Sequence, residues 1–396
     1  MPALDQPRPG TAFVVPGLSF VRWRCVEKGL AAAARPLSLT AREAATRSGH
    51  SVKVPNVFSG RSASVIDVAI VGAAELEGEA LLELMQERAF PVGELHLLAD
   101  DDSIGQSLPF GARNLSIRAA ASFDFSRVAL VFIAGAGLGP AAREALLAAS
   151  CDVVDMVGAL GQQATSCLLP GINDATLAER CPPRRLRCPM PTSVALVTVL
   201  APLARLQTLK RLVVTVCRPV SVRGRSGVKE LARQTAELLN ARPLEPRLFD
   251  RQVAFNLLAQ TDEPDQLGHG AAERAFAEEL TDLLGLPQLQ VSSTFVQAPV
   301  FFGESLSVCA LFDAPLDIAG AHAALDMVEG LEMVDSPDYP TAVGDALGQD
   351  LVYVGRLRSG LRDASEVNLW IVSDNVRKGA ALNAVLSGEL LIKDYP

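Results

Sequence analysis

The sequence predicts a two-domain α/β protein: a Rossmann-type domain with a parallel sheet, then an α+β domain, then a C-terminal helix returning to the first. Three observations predict it. "VIDVAIVGAAELEGEALLELMQER" runs from a β-branched strand through Gly72 into a helical pattern with apolar residues at 80, 81, 84 and 85. The same strand, glycine-turn, helix order recurs in "VALVFIAGAGLGPAAREALLAAS". Strands alternating with helices over Val65–Gly161 indicate a doubly wound parallel sheet, whereas the second half is β-rich and less regular.

Each element follows in order. "ELHLLADDDSIGQ" is a short strand ending in three aspartates, and "CDVVDMVGAL" supplies a further strand. A helix spans Thr192–Leu206, then come a strand at 211–217 and a helix near 227–240. "LQVSSTFVQAPVFFGESLSVCALF" is β-rich, a helical segment lies near 319–329, and "NLWIVSD" is another strand. The last segment, "NVRKGAALNAVLSGELLI", reads as one helix with its apolar stripe on one side. This gives a first domain at 64–190, a second at 191–373 with a mixed or antiparallel sheet, and a returning helix at 374–396.

A length of 396 residues allows two cores of ordinary size. No apolar run approaches the roughly 18 residues of a membrane helix, so no membrane partner is expected. The seven cysteines (Cys25, Cys151, Cys167, Cys181, Cys188, Cys217 and Cys309) include no CxxC pair and no zinc-type spacing, so no metal is expected. Their odd number, without a secretory signal, suggests reduced thiols and a cytoplasmic protein. The net charge of −9 is uneven: residues 1–62 carry nine Lys/Arg against three Asp/Glu, the remainder 27 against 42. An acidic body argues against nucleic acid as a partner. Residues 1–62 are Arg-, Ala- and Ser-rich and broken by prolines. They suit a disordered extension, the product of an upstream start codon, or a transit peptide.

Several stretches could carry chemistry. "GAAELEG" places Gly72 and Gly78 at the outer positions of GxxGxxG, with Ala73 between them. Glycines there let backbone approach a pyrophosphate on a helix N-terminus. Glu75 replaces the middle glycine and Glu77 adds a second charge, which favours the helix dipole but repels an anion. Asp100, Asp101 and Asp102 follow the second strand. An acid there can accept from a ribose diol, the NAD arrangement, and three would repel the 2′-phosphate of NADP; a solvated loop is the other reading. His50, His96, His269 and His322 lie in no motif with a nearby nucleophile. His96 reads as packed or surface, His269 as exposed.

Taken together, the stretches from about Val65 onward resemble the aspartate-semialdehyde dehydrogenase family. "NLWIVSDNVRKGAALNAV" (Asn368–Val385) matches its C-terminal signature nearly letter for letter. "VAIVGA", "LHLLA", "GVKELARQTAELLN", "AFN" at 254–256, "LLGLPQLQVSSTFVQAPVFFG" and "YVGRLR" at 353–358 follow in the family's order. The resemblance implies a cysteine nucleophile, a histidine base, hydride transfer to NADP, and phosphate cleaving the thioester. It also implies a homodimer paired through the second-domain sheet.

The site positions depart from that pattern. The family's NPNCST loop aligns with "CPMPTS", placing Pro191 at the nucleophile. RVPVxxGHS aligns with "QAPVFFGES", so Gln297 stands for the substrate arginine and Glu304 for the histidine. Arg218 stands for the glutamine of YQAxSG, Gly161 for the phosphate arginine, and Ala272 and Ala275 for a Glu/Lys pair. "ADDDSIG" replaces the loop that holds the 2′-phosphate. Asp374 and Asn375 lie, by resemblance, close to the nicotinamide end, with domain packing and helix capping as the other reading. Cys188, three residues upstream of Pro191, is the one sulfur available as a relocated nucleophile. Thr192 or Ser193 with Glu304 as base is the weaker repair, since an unperturbed carboxylate is too weak a base for an alcohol. The pattern resembles the Usg-type branch of the family, which looks like the dehydrogenase without its active site. The expectation is an incompetent homologue that binds a nucleotide (NAD or NADP at Gly72, Ala73, Gly78, Asp100 and Asn375), a metabolite or a protein. The alternative is an active NAD(P)-dependent enzyme.

Overall fold

The computed structural model describes residues 65–393, apart from 136, 179–181 and 260–261, and these fall within one compact unit. The expectations for residues 1–62 lie outside them.

The first sheet has eight strands in the order β3-β4-β2-β1-β5-β6-β8-β7: β1 (Ile66–Val71), β2 (Val92–Ala99), β3 (Ser107–Phe110), β4 (Arg113–Ala119), β5 (Leu130–Ile133), β6 (Asp152–Asp155), β7 (Ser166–Cys167) and β8 (Arg185–Arg187). All pairings are parallel except β3–β4. Both faces are covered, which is why β1 reads as a continuous apolar run. Val68 and Ile70 enter the core beneath helix α1 (Leu76–Glu87), while Ala69 and Val71 enter the opposite core with helix α2 (Pro140–Ala148).

A short helix α3 (Ala175–Ala178) precedes α4 (Pro191–Leu206), the buried helix expected from sequence. The second sheet is mixed, in the order β10-β9-β11-β14-β13-β12. Its strands are β9 (Leu209–Arg218), β10 (Gln290–Gln297), β11 (Glu304–Phe312), β12 (Leu331–Val334), β13 (Val352–Ser359) and β14 (Glu366–Ser373). Helices α5 (Gly224–Leu239), α6 (Ala271–Leu284) and α7 (Ile318–Asp326) intervene. One face packs under α4, α6 and α7: Leu212, Val214, Val216, Phe295, Leu306 and Ile371 share a core with Val194, Leu200 and Phe276. Each such fully buried side chain contributes about 1.5–3 kcal/mol. The alternate residues Val213, Thr215 and Ser307 point the other way and are exposed.

Two features differ from the sequence reading. The hairpin β3–β4 extends the first sheet beyond the aspartate triplet, where only a loop is expected; its short, half-exposed strands leave no apolar periodicity to detect. The last segment is a π-helix, Asn375–Leu382, followed by helix α8 (Asn383–Ile392). It is buried on nearly every side rather than along one stripe, because it is wedged between α1 and α4. A bidentate pair fixes it: Arg88 donates to Glu389 at 2.7 and 2.9 Å, with both side chains buried. Arg377 bridges Glu87 of α1 (2.6 Å) and Asp350 (2.8 Å) of the second-sheet side.

Candidate functional site

The start of α4 is held from three directions. Met190 is its N-cap in extended backbone and Pro191 its first residue, where a missing N–H costs nothing. The Met190 N–H donates to Glu279 Oε1 at 2.8 Å, and Arg187 donates to the other oxygen of that buried carboxylate. Gly379 closes over Pro191: a Cβ added to Gly379 would lie 2.5 Å from Pro191 Cβ.

Next to Pro191, Thr192 Oγ1 donates to Glu304 Oε2 at 2.7 Å. Glu304 is 1% exposed and its Oε1 has no partner. Burial pushes its carboxyl up to about 7, with Asp374 adding to the rise and Thr192 and Arg218 opposing it. This removes the premise that an unperturbed Glu304 is too weak to serve as a base.

Sheet register explains how these groups meet. Gln297 pairs with Arg218 across β10–β9, Glu304 pairs with Ser373 across β11–β14, and Cys217, just before Arg218, pairs with Ser305. Four strand ends therefore form one row beneath the N-terminus of α4, on the helix-covered face. In that row Arg218 lies over Phe295, 5.0 Å from the ring centroid, with its Nε buried and unpartnered. The Ser373 hydroxyl is likewise buried without a partner. Gln297 is spent on backbone, donating to the Arg218 carbonyl at 2.9 Å and the Ala298 carbonyl at 3.3 Å. The row thus combines one cation, one carboxyl that titrates near neutrality, and unfilled hydrogen-bonding capacity.

The other predicted positions fall in different places. Gly161 lies on an exposed loop that Asp155 organises by accepting from the N–H groups of Val157, Ala159 and Leu160. Ala272 and Ala275 are half-buried on α6 and bring no polar group. Cys188 is 4% exposed, and burial pushes its thiol up to about 12. It is a packed core residue, the opposite of an activated thiolate. His96 is buried against Phe123, with its pKa lowered by burial; His322 lies between Asp326 and Asp335, and His269 is exposed. None of these three histidines is within the row. Among the described residues no cluster of three His, Cys, Asp or Glu could hold a metal, and no helix is long and apolar enough to cross a membrane.

The glycine turn has a dinucleotide-binding backbone and opposing side chains. Gly72 has φ +81°, and a Cβ there would lie 2.6 Å from Gly135 N; a Cβ on Gly78 would lie 2.4 Å from the Gly72 carbonyl. Ala73 is buried between them. Glu75, however, packs against Gly135, and burial together with the Glu75 charge lifts the Glu77 carboxyl. Arg225 reaches the turn from α5, donating to the Ala74 carbonyl at 2.8 Å and pairing with Glu79 at 2.6 Å. Asp100 binds the N–H groups of Ala121 (3.0 Å) and Gly139 (2.9 Å), so both its oxygens are engaged, while Asp101 and Asp102 are exposed. Asn375 accepts from Gly303 N at 3.0 Å and donates to Ser221 Oγ at 3.0 Å. Asp374 caps the π-helix through Val376 and Arg377 N–H and also accepts from Gly348. Both side chains therefore work as clamps between loops. The backbone fits a nucleotide, but the carboxylates at the turn disfavour its pyrophosphate.

Known proteins match over the same span. The family model described as the semialdehyde dehydrogenase NAD binding domain matches residues 67–180, and that of the dimerisation domain matches 200–378. A USG-1 protein homolog of Pseudomonas aeruginosa is 52% identical over 83% of this chain and 98% of its own. Aspartate-semialdehyde dehydrogenase 2 of Vibrio cholerae is 36% identical over 83% and 98%. Among solved structures, a probable aspartate-semialdehyde dehydrogenase from Pseudomonas aeruginosa superposes with a TM-score of 0.81 at 51% identity, covering 84% of this chain and all of that one. Aspartate semialdehyde dehydrogenase II from Vibrio cholerae, complexed with ASA, gives 0.78 at 34% identity, covering 84% and 100%. The chain belongs to the semialdehyde dehydrogenase family, as a Usg-type paralogue of the aspartate-semialdehyde dehydrogenases.

Proposed function

We propose that this chain is a catalytically silent member of its family that acts by binding a small polar ligand at the row Gln297–Arg218–Glu304–Ser373. One observation carries the reading: the first residue of α4, where the resemblance places the nucleophile, is Pro191. It is sealed by Gly379, and the nearest upstream thiol, Cys188, is buried and pushed up to about 12. Loss of the nucleophile removes covalent capture, and Gln297 in place of the arginine removes one anion-placing group. The row keeps a cation and a carboxyl with unfilled hydrogen-bonding positions, which supports recognition of a metabolite bearing both an acidic and a donor group.

A nucleotide at Gly72, Ala73, Gly78, Asp100 and Asn375 is part of the same proposal, favoured by the turn's backbone and opposed by Glu75 and Glu77. Calorimetric titration with NAD and NADP tests it: weak NAD binding with less for NADP is expected, and binding of neither removes the nucleotide. The exposed face of β9 and β11, with Val213, Thr215 and Ser307, supports pairing into a homodimer, while a protein partner fills the same role as a metabolite in this reading. The acidic body speaks against nucleic acid. A cytoplasmic location accords with the cysteine usage.

One observation favours a second reading, an active NAD(P)-dependent enzyme with a relocated nucleophile. Thr192 donates to a carboxylate whose pKa is about 7, the range of a working general base. That geometry makes Thr192 a better candidate than Cys188. Turnover lost on Thr192→Val would establish it.

A further inference from the structure

Away from the α4 N-terminus, a cavity of about 550 Å³ opens between the loop 169–174, the flank of α4 and the C-terminal segment. Its floor is apolar, with Leu169, Val194 and Leu382 buried, and neither Arg218 nor Glu304 lines it. Into that floor the π-helix Asn375–Leu382 delivers one charged group, Lys378, which is 8% exposed. The Lys378 ammonium makes no hydrogen bond and no ion pair among the described residues. Asn383, one turn on, lines the same floor with its side chain turned to the Cys188 sulfur. With 8% of the residue exposed, the ammonium keeps little hydration, and a carboxylate reaching it would stabilise it.

The remaining charges sit elsewhere. Asp174, Arg205 and Glu329 line the cavity at its exposed rim, beside Met327, which is 86% exposed. Burial lowers the Lys378 pKa to about 8; Asp350 and Glu329 favour its charged form from a distance, Arg88 opposes it, and Asp350 is already bonded to Arg377. The lining therefore combines a mixed, exposed rim, an apolar wall and the largely buried Lys378. A π-helix is a rare element that concentrates at functional sites, and Lys378 lies within this one. The volume falls within the range of small-ligand sites.

We infer that this cavity binds a medium-chain carboxylate, its hydrocarbon body against Val194, Leu382 and Leu386 and its carboxylate on Lys378. This site is separate from the one proposed above and stands or falls independently of it. The probe is octanoate, titrated calorimetrically against the full chain, with octanol and octylamine as equally long controls. One octanoate per chain is expected, bound at least tenfold more tightly than either control. Lys378→Met should reduce octanoate to the affinity of octanol while octanol itself is unaffected. Should that variant fail to fold, Ala201→Trp, which fills the cavity from α4, should abolish binding of both octanoate and octanol. Octanoate binding no tighter than octanol, or unchanged in Lys378→Met or Ala201→Trp, overturns the inference.

Discussion

Thr192 donates its hydroxyl to Glu304 at 2.7 Å, joining the first turn of α4 to the start of β11 with both side chains buried. The bond leaves the second Glu304 oxygen unpartnered, and that imbalance has a measurable consequence.

An unfolded Glu304 ionises near 4.5, whereas the folded one holds its proton to about 7. Between those values the folded state binds more protons, so stability falls as pH rises through the window and the deficit is complete above it. Glu304→Gln cannot ionise. It should therefore be more stable than the parent at pH 8, by up to about 3 kcal/mol, with the advantage vanishing below pH 4.5. Urea melts across pH 4.5–8 measure this, and parallel curves for the two proteins would refute it.

The buried pair Arg88–Glu389 anchors α8 beneath α1. Glu389→Gln should cost about 3 kcal/mol, because a charge is stranded in the core, and Arg88→Met combined with Glu389→Leu should recover most of that. Denaturant midpoints of the single and double variants give the comparison.

Gly379→Ala places a methyl group 2.5 Å from Pro191 Cβ and 2.8 Å from its Cα. The backbone cannot yield there cheaply, so a loss of about 1–3 kcal/mol is expected, read as a lowered melting temperature. An unchanged melting temperature would mean that the π-helix does not seal the start of α4.

Cys188 should resist alkylation by iodoacetamide at pH 8 in the native protein and react once unfolded. Mass spectrometry of the tryptic peptides distinguishes the two. Ready labelling in the native state would contradict a thiol that burial pushes up to about 12.

Much of this architecture is legible in the sequence, and particular residues show why. The run Ile66–Val71 ending at Gly72 fixes β1 and its turn, since only a strand buried on both faces tolerates that composition and only glycine adopts φ +81° at so close an approach. Pro191 before an apolar run marks the first turn of α4 with similar clarity. The row Gln297–Arg218–Glu304–Ser373 is less visible, because its four members lie on four strands and meet only through sheet register. Its electrostatics are hidden too: the raised pKa of Glu304 comes from burial, which no spacing reveals. Lys378 was hidden for a different reason, since a π-helix rotates residues off the 3.6-residue period by which a helix face is read.

The central claim is that the row beneath the start of α4 is a binding site without turnover, and a steady-state assay tests it most directly. Purified protein with aspartate semialdehyde, phosphate and NADP or NAD should give no reduced nucleotide above the rate without protein. Reduction that Thr192→Val or Cys188→Ala abolishes would contradict the account.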